Sequence, residues 1–388
     1  MVHFQSIDVQ TFLRDYWQKK PWVIRQALPD FINPLTADEL AGLALEEGIE
    51  SRMVFETPSI APFWRLKTGP WVDADFEHLP ETHWTLLVQG VDRVVPQVTA
   101  LLDHFDFIPQ WRVDDVMISY AVKHGSVGPH YDHYDVFLYQ AEGRRKWSLT
   151  TQGCNTDNYL TDVDLRIMAQ FEVEEEYILE PGDMLYLPPH VGHHGVSLSD
   201  DCMTYSFGFR SYQGQELWDS FGDYLSETTT NTGLYSDPNW ADLTATSAIP
   251  TDAWLNARHL MQRMLNDEQH MKDWFGRFAT RLDQQAEQDL PEPLTDEEAG
   301  NRQAFIAALS NSAGLLRDAC CRMAYQDDGQ HLFVNGCPWD ITGVSAALVQ
   351  QVANHRLLNQ GVLLAFLGND DNQIFLYELW RLQWLQWA

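Results

Sequence analysis

Two histidine-bearing strings restrict what this chain can fold into more than any other feature. They are Gly128-Pro129-His130-Tyr131-Asp132-His133-Tyr134-Asp135 and Pro188-Pro189-His190-Val191-Gly192-His193-His194-Gly195. Both lie between Val113 and Arg210, where short β-rich runs are separated by Gly, Pro and Asp. The alternation predicts strands over Val116–Val122, Val136–Gln140, Lys146–Thr150, Glu175–Leu179, Met184–Leu187 and Met203–Phe209. Short strands at this spacing imply a closed or sandwiched antiparallel sheet.

In an extended chain, residues two apart share a face. His130 and Asp132 therefore aim together, and an imidazole and a carboxylate can take neighbouring positions on one metal. His133 and Asp135 fall at odd offsets from His130 and point away on a regular strand. Ahead of the second string, Glu180-Pro181-Gly182-Asp183 forms a turn, followed by a short apolar strand, proline and histidine. A double-stranded β-helix delivers a third ligand in this way. Spacing leaves His190, His193 and His194 open for that role, with His193 preferred on the resemblance given below. Two histidines and one carboxylate leave a face of iron free for cosubstrate and O2. Three protein ligands also suit catalytic zinc, so ligand type alone leaves a zinc enzyme as the alternative.

A cation completes the pattern. In Gly143-Arg144-Arg145-Lys146-Trp147-Ser148-Leu149, Arg145 shares the parity of Trp147 and Leu149, whereas Arg144 and Lys146 share that of Ser148. One arginine is thus expected inside the sheet, where a bidentate carboxylate is its natural partner. Ser119 precedes the first string, and Thr204 and Ser206 follow the second; all three are placed to add hydrogen bonds to the same ligand.

Outside this region the patterns are helical or mixed. Phe12, Leu13 and Trp17 have helical spacing that Pro21 ends, before a short Trp22-Val23-Ile24 strand. Thr36 and Glu39 form a capping-box pair at the head of a helix. The spacing over Trp84–Leu102 predicts another, as it does over Ala253–Leu265 and Asp267–Gln284. After the Pro291-Glu292-Pro293 linker come a helix over Ala304–Leu316, a hairpin turning at Asp327-Asp328-Gly329, and helices over Val344–Asn354 and Gly361–Leu367. The expected domains are 1–213, 214–293 and 294–388, as befits 388 residues. Five cysteines, with no C-x-x-C pair, argue against a disulfide framework or a zinc site built from thiolates. No apolar run approaches the roughly 20 residues of a membrane span, and the first residues lack the marks of a signal peptide; a cytoplasmic location is expected. A formal net charge of −31 argues against direct nucleic-acid binding and suits a basic partner.

FLRDYWQKKPWVIR, GPHYDHYDVF, GRRKW and PGDMLYLPPHVGHHG resemble the cupin-type JmjC oxygenases, and among them the bacterial ribosomal oxygenases. DDVMIS and YSFGFR extend the likeness on either side of the two strings, and it runs through most of the chain. The resemblance implies an α+β protein: a double-stranded β-helix with N-terminal helices, a helical dimerisation region and a C-terminal winged-helix-like domain. It implies Fe(II) on His130, Asp132 and His193, 2-oxoglutarate on Arg145 with Ser119 nearby, and O2 as oxidant. The implied reaction is hydroxylation of an arginine side chain, at C3, in large-subunit ribosomal protein sixteen, by a homodimer. Alternatives are hydroxylation of histidine or asparagine in another protein, and a metal-binding cupin that is not an oxygenase. His194 stands where the family has Glu, and Thr204 where it has Asn. After Pro293 acids outnumber bases about two to one, which favours protein contact over DNA binding by the last domain.

Overall fold

The computed structural model describes residues 1–58, 61, 63–161, 163–228, 233–241, 245–327 and 329–388. They form two compact units, Met1–Ser211 and Tyr212–Ala388.

In the first unit, helix α1 (Val9–Asp15) starts at Asp8, whose carboxylate accepts from Thr11 N at 2.7 Å. Helix α2 (Ala37–Leu45) starts at Thr36: its Oγ1 accepts from Glu39 N at 3.2 Å, and Glu39 Oε2 accepts from Thr36 N at 2.8 Å. That is the capping box read from the sequence. The strands are β1 (Trp22–Ile24), β2 (Ser51–Glu56), β3 (Trp64–Thr68), β4 (Trp84–Val88), β5 (Val113–Ala121), β6 (Asp135–Glu142), β7 (Arg145–Thr150), β8 (Glu175–Leu179), β9 (Met184–Leu187), β10 (Gly192–Ser197) and β11 (Cys202–Phe209). They build an eight-stranded sheet in the order β1-β9-β6-β11-β5-β4-β2-β3 and a three-stranded sheet in the order β10-β7-β8, with every pairing antiparallel.

The large sheet has two chemically different faces because side chains alternate along each strand. Tyr205, Phe207 and Phe209 of β11 join Val116, Ile118, Phe137 and Tyr139 in an aromatic core under α1. Phe12 anchors that helix, its ring centroid 4.7 Å from Phe4, 5.0 Å from Tyr186 and 5.7 Å from Phe137. Each such ring contributes about 1.5–3 kcal/mol by burial. The intervening residues Thr204 and Ser206, with their cross-strand partners Ser119 and Met117, line a cavity instead. A second core, including Val136, Leu138, Leu149, Leu179 and Leu185, joins the two sheets beside that cavity.

Two expected helices are corrected. Over Trp84–Leu102 the chain first forms β4, then short helices Val91–Val94 and Pro96–Thr99 and a 3-10 turn from Ala100. β4 is buried on both faces between β2 and β5, so it shows no alternation, and a short apolar run cannot be told from a helix by period alone. The helix expected over Ala304–Leu316 ends at Leu309; Gly314, at φ +141°, opens a strand to Arg317.

The second unit begins with helices Gly214–Thr228, Thr251–Leu265 and Glu268–Thr280. Trp274 and Phe278 of the third pack on Phe221 and Tyr224 of the first. Further on, two three-stranded sheets surround a separate core that includes Leu309, Leu348, Val352 and Leu379. One is the meander Met323–Tyr325, Leu332–Val334 and Cys337–Trp339. In the expected hairpin turn, Asp328 lies outside the described residues, while Gly329 N donates to Gln326 O at 2.8 Å.

Candidate metal centre

The two histidine strings pair with each other through the backbone. His130 N donates to His193 O at 3.0 Å, and His193 N donates back to His130 O at 2.7 Å. His190 N donates to Asp132 O at 2.8 Å. Gly128 makes the approach feasible: it sits at φ +82°, and a Cβ there would lie 2.9 Å from the Ile167 side chain.

His130 Nδ1 lies 3.0 Å from Gly128 O, and His193 Nδ1 lies 3.0 Å from Val191 O. A carbonyl only accepts, so each ring carries its proton on Nδ1 and keeps the Nε2 lone pair free. His193 Nε2 is 3.5 Å and His130 Nε2 4.0 Å from Asp132 Oδ2. All three ligand atoms fall within 4.8 Å of one another, and no other such group of three occurs among the described residues. Burial, then the neighbouring His130, push His193 down to about 4, so its imidazole is neutral at physiological pH.

His193 is thus the histidine of the second string brought to His130 and Asp132. His190 stacks edge-on against His133, with centroids 4.9 Å apart. His194, next along β10, has its ring against Phe171. Asp135 is structural: its carboxylate accepts from Tyr186 Oη at 2.6 Å, Gln18 Nε2 at 3.1 Å and Arg112 Nη2 at 3.2 Å. These bonds tie β6 to β9 and to the end of α1.

The cavity beside the triad has a volume of ≈ 170 Å³. His130, Asp132, His193, Arg145, Ser119, Thr204 and Ser206 all line it. Arg145 is only 3% exposed, and its Nε and Nη2 have no hydrogen-bond partner in the protein. Burying a guanidinium with open donors is costly unless an anion joins it. Its neighbours lie on the other side of the strand: Arg144 faces Glu180 at 3.4 Å and Lys146 faces Glu176 at 3.0 Å, both in solvent. The two imidazoles and one carboxylate fit a borderline divalent cation such as ferrous iron, and the open guanidinium donors fit an acidic ligand beside it. Ser119 and Ser206 line the cavity too, whereas the Thr204 hydroxyl already donates to Gln140 Oε1 at 3.3 Å.

Three residues here escaped the sequence reading. Thr85 and Trp147 line the cavity with buried, unpartnered Oγ1 and Nε1. Thr85 was hidden by the helical reading of β4, and Trp147 passed for an apolar filler. Cys202 is buried with Gln140 Nε2 3.3 Å from its sulfur. Burial pushes its thiol up, but the Arg145 guanidinium, aided by Ser197 and Gln140, brings it below the ordinary value.

The family model of the JmjC domain matches residues 100–217, and that of the ROXA-like winged helix matches residues 262–386. Ribosomal protein uL16 3-hydroxylase of Escherichia coli is 37% identical over 282 residues, 73% of this chain and 74% of that one. A probable ribosomal oxygenase of Haemophilus influenzae is 41% identical over 209 residues, 53% of this chain and 50% of its own. The X-ray structure of E. coli YcfD superposes with a TM-score of 0.85 at 30% identity, covering 100% of both chains. That of YcfD with cobalt and 2-oxoglutarate gives 0.81 at 31% identity, covering 99% of both. With a JmjC and a ROXA-like winged-helix model both matched, and a uL16 3-hydroxylase 37% identical over 74% of its own length, this chain belongs to the JmjC-domain ribosomal oxygenases.

Proposed function

We propose that this protein hydroxylates an arginine side chain, at C3, of ribosomal protein uL16, with Fe(II) held by His130, Asp132 and His193 and 2-oxoglutarate as cosubstrate. One observation carries the reading: the triad and a buried guanidinium with open donors line the same cavity. Iron and the 2-oxo acid, when bound, supply the oxidative chemistry that introduces one oxygen atom of O2 into a C–H bond. The protein does the rest. Val191 O and Gly128 O hold the two imidazoles in the tautomer that offers Nε2. Arg145 pairs with the far carboxylate of the cosubstrate and fixes its length along the cavity, with Ser119 and Ser206 adding hydrogen bonds. Leu87, Val136 and Leu138 add apolar lining to the same cavity.

The target follows from the E. coli relative's activity on uL16 and from charge: a chain at −31 draws a basic ribosomal protein and repels nucleic acid. Action on a ribosomal protein implies the cytoplasm, and no helix among the described residues is long and apolar enough to cross a membrane. Residues 214–293 serve as a dimerisation region. In support, Thr251–Leu265 buries none of its residues and exposes Trp254, Met261 and Leu265. Residues 294–388, twice as rich in acids as in bases, contact protein.

The test is incubation with Fe(II), 2-oxoglutarate, O2 and recombinant uL16, followed by peptide mass spectrometry. The expected product carries one extra oxygen on a single arginine, with succinate formed in proportion. Oxygen on a histidine or asparagine instead would replace the target, and absence of succinate would end the oxygenase reading.

A further inference from the structure

Four buried polar atoms that find no partner in the protein belong to three residues lining this one cavity: Thr85 Oγ1, Arg145 Nε, Arg145 Nη2 and Trp147 Nε1. Three are N–H donors and the fourth is a hydroxyl, and all belong to side chains at least nine-tenths buried. Native proteins rarely leave such atoms unsatisfied. Contributed by both sheets to one cavity, they describe a ligand rich in acceptors, and a carboxylate offers about four lone-pair sites.

Their placement is set by the strands. Thr85 pairs across β4–β5 with Ala121, and Ala121 pairs across β5–β11 with Cys202. Cross-strand partners share a face, so Thr85 lies on the sheet row that ends at Cys202, the residue in electrostatic contact with Arg145. Trp147 stands two residues along β7 from Arg145. Its ring lies 5.7 Å from the Arg145 guanidinium carbon and 5.8 Å, centroid to centroid, from His193. The indole therefore bridges the cationic end of the cavity and the metal ligands. Gly195, paired with Trp147 across β7–β10, leaves room for it: a Cβ there would lie 2.6 Å from the ring.

We infer that Thr85 Oγ1 and Trp147 Nε1 are further cosubstrate-binding groups, donating with Arg145 to the far carboxylate of the bound 2-oxo acid. Arg145 supplies charge, Thr85 fixes the carboxylate from the large sheet, and Trp147 fixes it from the small one. The inference rests on the 2-oxoglutarate reading above, and its test keeps the two apart.

The test is calorimetric binding, without O2, of 2-oxoglutarate and of 2-oxopentanoate to Mn(II)-loaded protein. The second ligand keeps the chain length and the metal-binding end and lacks the far carboxylate. Thr85→Val and Trp147→Phe are each expected to weaken 2-oxoglutarate roughly ten-fold, as loss of a hydrogen bond to a charged group does. They should leave 2-oxopentanoate unchanged, and Thr85→Ser should restore wild-type affinity. Variants that bind 2-oxoglutarate as the wild type does would overturn the inference, the atoms then being satisfied by water. So would equal losses for both ligands, which mark a purely structural role. A wild-type protein that does not bind 2-oxoglutarate would instead overturn the cosubstrate reading itself.

Discussion

At the scale of single residues, this site depends on side chains whose charge state is set by what surrounds them. His193 is held neutral by burial, and Arg145 is buried with donors to spare. A third buried group offers a clean measurement away from the triad. Asp115 is pushed up to about 7 by burial and by the charges of Asp92 and Asp114, while Gly90 N and Gln89 Nε2 donate to its Oδ2. The folded protein therefore keeps a proton there that the unfolded chain, titrating near 3.8, has released. Stability present below the unfolded value is lost as pH rises towards 7. Asp115→Asn removes that loss, so its melting temperature relative to wild type should rise by a few degrees between about pH 5 and about pH 8. A difference independent of pH would mean that Asp115 ionises freely. Residue-level chemistry was the most legible part of the sequence. The parity of Arg145 with Trp147 placed both on the cavity side because β7 is a regular strand, whereas His130 and Asp132 precede β6 and reach the cavity through the isolated bridge of His130 to His193. The choice among His190, His193 and His194 was open to spacing alone, since β10 is short, carries two glycines and takes its form from pairing with β7.

At the scale of elements, legibility tracked local signals. α2 was readable because its capping box is local, and β8 and β9 because Pro181-Gly182-Asp183 punctuates them. β4 was misread and β2 was not foreseen because their places in the sheet are fixed by partners distant in sequence, and β3, an edge strand on β2, was not foreseen with it. The same dependence makes β10 vulnerable. Gly195→Ala would set a methyl group against the Trp147 ring and should cost about 1–3 kcal/mol through overpacking. Urea unfolding should show a lower midpoint at an unchanged slope. A variant as stable as the wild type would mean that the indole moves aside, and would remove the reason for its fixed position.

At the scale of the whole molecule, helices and a hairpin after Pro293 were readable from pattern, but their winged-helix arrangement came only from family resemblance, because the strands are three to four residues long and carry little period of their own. The helix Thr251–Leu265 makes a direct prediction about assembly. Trp254→Glu with Met261→Glu should convert a dimer into monomers in sedimentation velocity while leaving helix content unchanged. A wild-type protein that sediments as a monomer would contradict the proposed dimerisation region. The central claim, that His130, Asp132 and His193 create one metal site on which cosubstrate binding depends, is tested most directly by anaerobic titration with Fe(II) and then 2-oxoglutarate. The account predicts one ferrous ion per chain and a visible charge-transfer band that develops only when both are present. Both features should vanish in His130→Ala and Asp132→Ala. Wild-type metal uptake by those variants, or 2-oxoglutarate binding indifferent to the metal, would contradict it.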